Sequence, residues 1–265
     1  MTTNERKVAS LKDIHRGRRC FIVGNGPSLK IEDLDLLKKE ITFACNKIYL
    51  AFSETEWRPT YYSVLDILVA ENNATIIDEL HLCKIYHEDV KPYFPGADDI
   101  IWLKALHEPK VDGEYIGGFS DNALRGVYAG WTVLYPQIQL AFFMGIREIY
   151  LIGVDFKFDV PTGTGKKCLH GNILEYKGEK NHFHPEYRKP GETWTMPLLE
   201  LQRKAFSAAK RAVEAKGGCI YNASRETALD VFPRADFDSL MKQNTNPNPP
   251  LRHSDRSSIA SIFSL

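Results

Sequence analysis

Three stretches carry residue types that could do chemistry. The first is GNGPS, residues 24–28, which ends the apolar run CFIV at 20–23. Gly24 and Gly26 permit tight backbone geometry and close approach to a ligand. Pro27 suits the first turn of a following helix, where its missing N–H would be unsatisfied anyway. The N–H groups around Ser28 would then favour an anion, and Asn25 offers both a donor and an acceptor. That set suits a phosphate or a nucleotide, and its bland alternative is an ordinary strand-to-helix turn. It is not the dinucleotide fingerprint, because Leu29 stands where the third glycine belongs. TGTGKK at 162–167 is no P-loop, since Lys167 occupies the Ser/Thr position and Val160 the first glycine.

The second stretch is NHFHPEY, residues 181–187. Histidine is the usual general base at neutral pH, and His184 and His182 are both candidates, with His184 slightly ahead. A hydrogen-bonded structural histidine is the competing reading for each. Tyr187, Arg188 and Lys189 are candidates for contact with an acceptor or a phosphate, against a reading as solvated loop residues. The third set is the carboxylates Asp66 and Asp155, each at the end of an apolar run. They could hold Mg²⁺ against phosphate oxygens, and for Asp155 a capping role is equally open. Cys168, His170, His182 and His184 form a C-x-H…H-x-H set of zinc-ligand types, but the spacing matches no common finger. No resident metal is expected outside the magnesium alternative.

These residues need elements that bring them together. Apolar runs of strand length occur at 20–24, 41–46, 61–66, 83–88, 100–104, 148–156 and 219–223. Unbroken apolar runs indicate strands covered on both faces. Helical patterns lie between them. IEDLDLLKKE (31–40) has apolar residues at helical spacing. TVLYPQIQLAFFMG (132–145) offers Thr132 as N-cap and Gly145 as a stop, with Pro136 early in the helix. In the long stretch after Pro197, residues Leu198, Leu201, Ala205, Ala209 and Ala212 make one stripe that Gly217 ends. The alternation predicts an α/β fold: a Rossmann-like, mostly parallel sheet with helices on both faces. In such sheets ligands bind outside the carboxyl ends of the strands. Those ends are polar here: Gly24–Gly26, Asn46, Asp66, Asp155, and Asn222 with Ser224.

The expected organisation is one domain over 1–241, a long active-site loop or lid over 157–194, and a disordered tail over 242–265. The insert lacks periodicity and is long enough to be functional. The chain has 265 residues, with 34 Lys+Arg against 34 Asp+Glu. A zero net charge argues against a nucleic-acid partner. Five scattered cysteines without a CxxC pair do not make a disulfide framework. The N-terminal stretch has no apolar h-region and no run reaches membrane-spanning length, so a cytoplasmic protein is expected. The closing IASIFSL is short and apolar and could assist contact with an inner membrane face.

GNGPSLK, then ACN about twenty residues on, then MGIREIYLIGVDF resembles bacterial sialyltransferases of the Campylobacter type. It is also similar to the wider MptE-like superfamily of archaeal hydroxymethylpterin pyrophosphokinases, which includes proteins of surface-polysaccharide and flagellin glycosylation. The resemblance covers roughly residues 18–160 and loosens towards 225. It implies a cytidine nucleotide held by Gly24, Asn25, Gly26, Pro27, Ser28 and Asn46, with Gly153 and Asp155 on the GVDF strand. A helix start at Thr132 and Val133 would help bind the donor. Asp66 stands where the sialyltransferases have a second asparagine, and Lys157 and Phe158 stand where they have two phosphate-binding tyrosines. Lys157 is therefore a candidate for charge neutralisation. The family's catalytic histidine corresponds to the NHFHPEY segment.

The expectation is a glycosyltransferase that takes a nucleotide-sugar donor, a CMP-sugar, to a surface glycan or glycolipid acceptor with a histidine base. It would need no cofactor, and a homo-oligomer is open. The alternatives are an ATP- and Mg²⁺-dependent pyrophosphokinase acting on a pterin-like alcohol, or a nucleotide-binding protein without catalysis.

Overall fold

The computed structural model describes residues 1–161, 166–168 and 171–242. Residues 162–165, 169–170 (His170 among them) and 243–265 lie outside the described residues. With them go most of the TGTGKK run, the zinc set that needs His170, and the IASIFSL segment.

The strands in chain order are β1 (Arg19–Val23), β2 (Ile41–Cys45), β3 (Tyr61–Ser63), β4 (Ile85–His87), β5 (Ile101–Leu103), β6 (Lys110–Val111), β7 (Glu114–Tyr115), β8 (Glu148–Ile152), β9 (Lys166–Cys168), β10 (Gly171–Glu175), β11 (Thr193–Thr195) and β12 (Cys219–Asn222). The helices are α1 (Thr3–Ser10), α2 (Ile31–Leu36), α3 (Ile67–Asp78), α4 (Leu134–Phe143), α5 (Leu199–Glu214) and α6 (Phe237–Lys242). All seven apolar runs contain a strand.

The main sheet has the order β12-β8-β1-β2-β3, with every pair parallel. A parallel bridge between Tyr62 and Lys84 continues it toward the parallel pair β4-β5. The chain starts at the middle with β1, walks outward on one side, then returns to place β8 on the other side of β1. The strand order therefore reverses between β1 and β8, and a crevice opens at their carboxyl ends.

The sheet is covered on both faces, which explains the unbroken apolar runs. Cys20, Ile22, Ile41, Phe43, Ile149 and Leu151 point into one core with α4 and α5. Their neighbours Phe21, Val23, Ala44, Tyr150 and Ile152 point into the other with Leu34 of α2, Ile77 of α3 and Phe237 of α6. Alternate residues of each strand thus serve opposite cores.

Every residue of α4 is buried, including Gln137 and Gln139. Their amides are used: Gln137 Nε2 donates to Ala44 O at 2.9 Å, and Gln139 Oε1 accepts from Ser120 N and Tyr128 N. Thr132 is not the N-cap. Val133 holds that position without a side-chain cap, and Thr132 Oγ1 accepts from Leu134 N at 3.4 Å. Gly145 has φ +88°, the left-handed geometry of a helix stop. On α5 the buried stripe is Gln202, Ala205, Phe206, Ala209 and Val213.

Two findings correct the expected layout. The helix after GNGPS begins at Ile31 with Lys30 as N-cap, so Pro27 and Ser28 form a turn rather than a first helical turn. And residues 157–194 are not simply a loop. They contain β9 and β10 and reach β11, which make an antiparallel sheet in the order β11-β10-β9. Leu174 and Trp194 bury apolar surface there, although the surrounding Gly, Lys and His hide any period.

Candidate functional site

The crevice is built on the crossing of the β1 and β8 ends. Gly24 N donates to Ile152 O and Gly26 N to Gly153 O, both at 2.8 Å. A Cβ on Gly24 would lie 2.4 Å from Gly153 O, and one on Gly26 would lie 2.7 Å from the Asp155 carboxyl carbon. Both glycines are therefore demanded by the neighbouring loop, whatever a ligand requires.

Asp155 explains the rest of the turn. Its Oδ2 accepts from Ser28 N at 2.8 Å, and its Oδ1 accepts from the Ser28 hydroxyl. Ser28 is thus committed to Asp155 rather than offered to an anion, and the anion-favouring helix start expected there does not form. Burial pushes the Asp155 carboxyl above the usual carboxylate value, with Ser28's two bonds pulling the other way.

The cleft above this turn encloses about 670 Å³ with its open mouth. Gly24, Asn25, Gly26 and Pro27 form one side. Asn46, Thr132 and Val133 come from the β2 end and the α4 start. Gly153, Asp155 and Lys157 follow β8, and His182 and Tyr187 arrive from the 181–187 stretch. Asn25 Nδ2 donates to Cys45 O at 3.1 Å, which fixes the amide orientation. Its Oδ1 is buried without a partner, and so is Oδ1 of Asn46. Buried acceptors without partners await a donor, such as a ribose hydroxyl or an exocyclic amine.

Backbone strain gathers at the same place. Asn46 (φ +50°), Phe156 (+55°) and Trp131 (+57°) are left-handed residues on or beside the cleft. Bulky residues hold that conformation only where their surroundings impose it. Trp131 is not on the cleft wall. It packs edge-on against Tyr115 at 4.2 Å, and its carbonyl accepts from Gln202 Nε2 at 2.8 Å.

A smaller recess of about 360 Å³ adjoins the cleft and shares Asn46, His182 and Tyr187 with it. Asp66, Arg188 and Trp194 line only the recess. Asp66 also caps α3, accepting from Leu68 N at 2.9 Å and Val69 N at 3.3 Å. His182 stacks on Tyr187, with centroids 3.7 Å apart and planes 5° from parallel, and Phe158 meets it edge-on. Burial, with the cations of Arg188 and Lys47, depresses the His182 pKa well below the ordinary imidazole range. The ring is therefore neutral at physiological pH.

His184 is placed differently. Its Nδ1 accepts from Glu186 N at 3.1 Å, capping the 185–187 turn, and it lines neither cavity. Lys189 is exposed and also outside both; its N–H donates to Glu192 Oε2. Ser28 is likewise off both walls. Sequence reasoning missed Gln202 and Asn181 on the cleft and Lys47 on the recess. Gln202 had one signal, a polar residue within the buried stripe of α5. Lys47 Nζ donates to Tyr187 O at 2.8 Å and pairs with Glu192 at 2.6 Å, fastening the 181–195 region to the main sheet. Phe183 N adds a bond to Asn25 O at 3.0 Å.

Among the described residues, no group of three or more His, Cys, Asp or Glu could hold a metal ion. Among them, too, no helix is long and apolar enough to cross a membrane. No curated protein matches the chain. A family model described as 6-hydroxymethylpterin diphosphokinase MptE-like matches residues 1–160. That span holds β1 to β8 and most of the cleft, but ends before His182, Arg188 and Trp194. It covers more than half of the chain and includes the switch point between β1 and β8, so the chain belongs to the MptE-like family.

Proposed function

We propose that the protein is a glycosyltransferase that takes a CMP-sugar and passes the sugar to a hydroxyl of a surface-glycan or glycolipid acceptor. The observation that carries this reading is His182, a neutral imidazole on the wall shared by two adjoining cavities. A transferase with two substrates needs a base at their junction. The nucleoside would lie in the cleft, with its hydroxyl or amino groups donating to Asn25 and Asn46 Oδ1. Lys157 would neutralise the phosphate at the cleft mouth. A ring nitrogen of His182 takes the acceptor's proton as the acceptor oxygen bonds to the sugar's anomeric carbon. The bond from that carbon to the phosphate oxygen breaks, and the electron pair leaves with CMP. Tyr187, stacked on the imidazole, keeps the ring in one orientation. The reaction would run at the cytoplasmic side of the inner membrane.

The family description favours a second reading, diphosphokinase chemistry with ATP and Mg²⁺. The carboxylates it would use fit a metal poorly. Both oxygens of Asp155 accept from Ser28, and Oδ1 of Asp66 accepts two amides of α3.

Thermal unfolding against CMP, CDP, UDP, GDP and ATP, each with and without Mg²⁺, tests the choice. A ligand at a hundred times its Kd stabilises by about 2.7 kcal/mol, which moves the midpoint by several degrees. A metal-independent shift with CMP is expected. A shift only with ATP and Mg²⁺ overturns the CMP-sugar reading in favour of the second. Nucleotide binding without turnover on any donor points to a binding protein.

A further inference from the structure

The side recess carries a chemistry of its own. Two N–H groups on its lining residues have no acceptor: Nη1 of Arg188 and Nε1 of Trp194. Trp194 is only 3% exposed, so its indole N–H has no water to turn to. The Arg188 guanidinium lies over that indole, 4.2 Å from the ring centroid. The stack holds the planar fork in place, and a guanidinium stays charged even where burial opposes it. Lys47, the neighbouring cation, is already satisfied by Glu192 and the Tyr187 carbonyl. Arg188 is therefore the cation in the recess with donor capacity to spare. Buried donors without acceptors cost stability unless a ligand meets them, and a guanidinium beside an indole N–H suits the oxygens of one anion.

We propose that this recess is a subsite for an oxoanion, a carboxylate or phosphate group on the second substrate, held by Arg188 and Trp194. The acceptor would then be an acidic molecule, and its acid group would set its reacting hydroxyl beside His182. The substrate class rests on the transferase reading above. The oxoanion site itself does not.

The test is calorimetric titration of the full chain with glucuronate, glucose and pyrophosphate, and separately with CMP. Glucuronate or pyrophosphate is expected to bind at least about tenfold more tightly than glucose, since a charge-assisted bond is roughly twice as strong as a neutral one. Arg188→Met should remove that preference. Arg188→Lys should restore only part of it, because the charge returns without the planar stack. Trp194→Phe keeps the ring and deletes the N–H, and it should weaken the oxoanion several-fold even if Arg188→Met fails to fold. Preference for glucuronate assigns the anion to a sugar acid, and preference for pyrophosphate assigns it to a phosphate. Unchanged oxoanion binding in Arg188→Met and Trp194→Phe, or no oxoanion binding by the native chain, overturns the proposal. Failure of CMP alone to bind overturns the CMP-sugar reading and leaves the oxoanion result standing.

Discussion

The cleft and the side recess share three residues, yet their open hydrogen-bonding capacity has opposite sense. The cleft has acceptors to spare, Oδ1 of Asn25 and of Asn46, while the recess has donors to spare on Arg188 and Trp194. Their construction differs too. The cleft sits on a turn in which Gly24, Gly26, Ser28 and Asp155 satisfy one another. The recess is closed by the 181–195 region, which is fastened to the main sheet through Lys47 and Phe183. On the proposed reading a strand-end turn would meet a donor-rich group, and a fastened flank would meet an anion. His182 stands where the two meet.

Substitutions can break this contrast. The largest effect is expected at the junction: His182→Ala should lower kcat by about 10²–10⁴-fold, the range for loss of a general base, while nucleotide affinity changes little. His184→Ala should stay within a few-fold, since that ring caps a turn; steady-state kinetics on both variants decide the assignment, and the reverse ranking would move the base out of the shared wall. Next comes the turn. Gly24→Ala forces a Cβ to 2.4 Å from a backbone oxygen and should destabilise by about 2–3 kcal/mol, as overpacking does. Urea denaturation reads this, and an unchanged midpoint would show that the turn yields.

Smaller effects sharpen the cleft side. Asn25→Ala removes an open acceptor and should weaken CMP by about fivefold in calorimetry, in line with about 1 kcal/mol for a hydrogen bond. An equal loss for glucuronate would contradict the division of labour between the cavities. The smallest effect is on stability against pH. His182 binds its proton less readily folded than unfolded. Its contribution is therefore whole above the unfolded value near 6.5 and is lost as pH falls below it. Urea midpoints at about pH 7.5 and about pH 5.5 should diverge less in His182→Gln than in the native chain.

What could be read from the sequence divides along the same line as the two cavities. The parallel sheet was legible because Cys20–Val23 and Ile149–Ile152 are apolar on both faces, a pattern that leaves few alternatives. Helix α3 was not, because of its twelve residues only Ala70 and Ile77 are buried. The β9–β11 sheet escaped because its pairing is local and its composition is that of a loop. At the site, Gly24, Asn25 and Asn46 were read from strand ends and Thr132, Gly153 and Lys157 from the resemblance, and all six lie together in the cleft. Ser28 was assigned to an anion because its partner Asp155 is 127 residues away, a contact that spacing cannot reveal. His182 and His184 are two residues apart, and spacing cannot show that one stacks on Tyr187 at the shared wall while the other caps a turn through Glu186 N.

Lys47 has a consequence beyond fastening. It follows Asn46 directly, so the residue proposed to meet the nucleotide is covalently joined to the clasp on Tyr187 and Glu192. A ligand that stills Asn46 also stills the clasp, and with it the flank that closes the recess. The entropy surrendered by the first substrate is then not asked of the second. On the proposed reading the coupling is mutual, so nucleotide and acid would each tighten the other's binding through a single lysine.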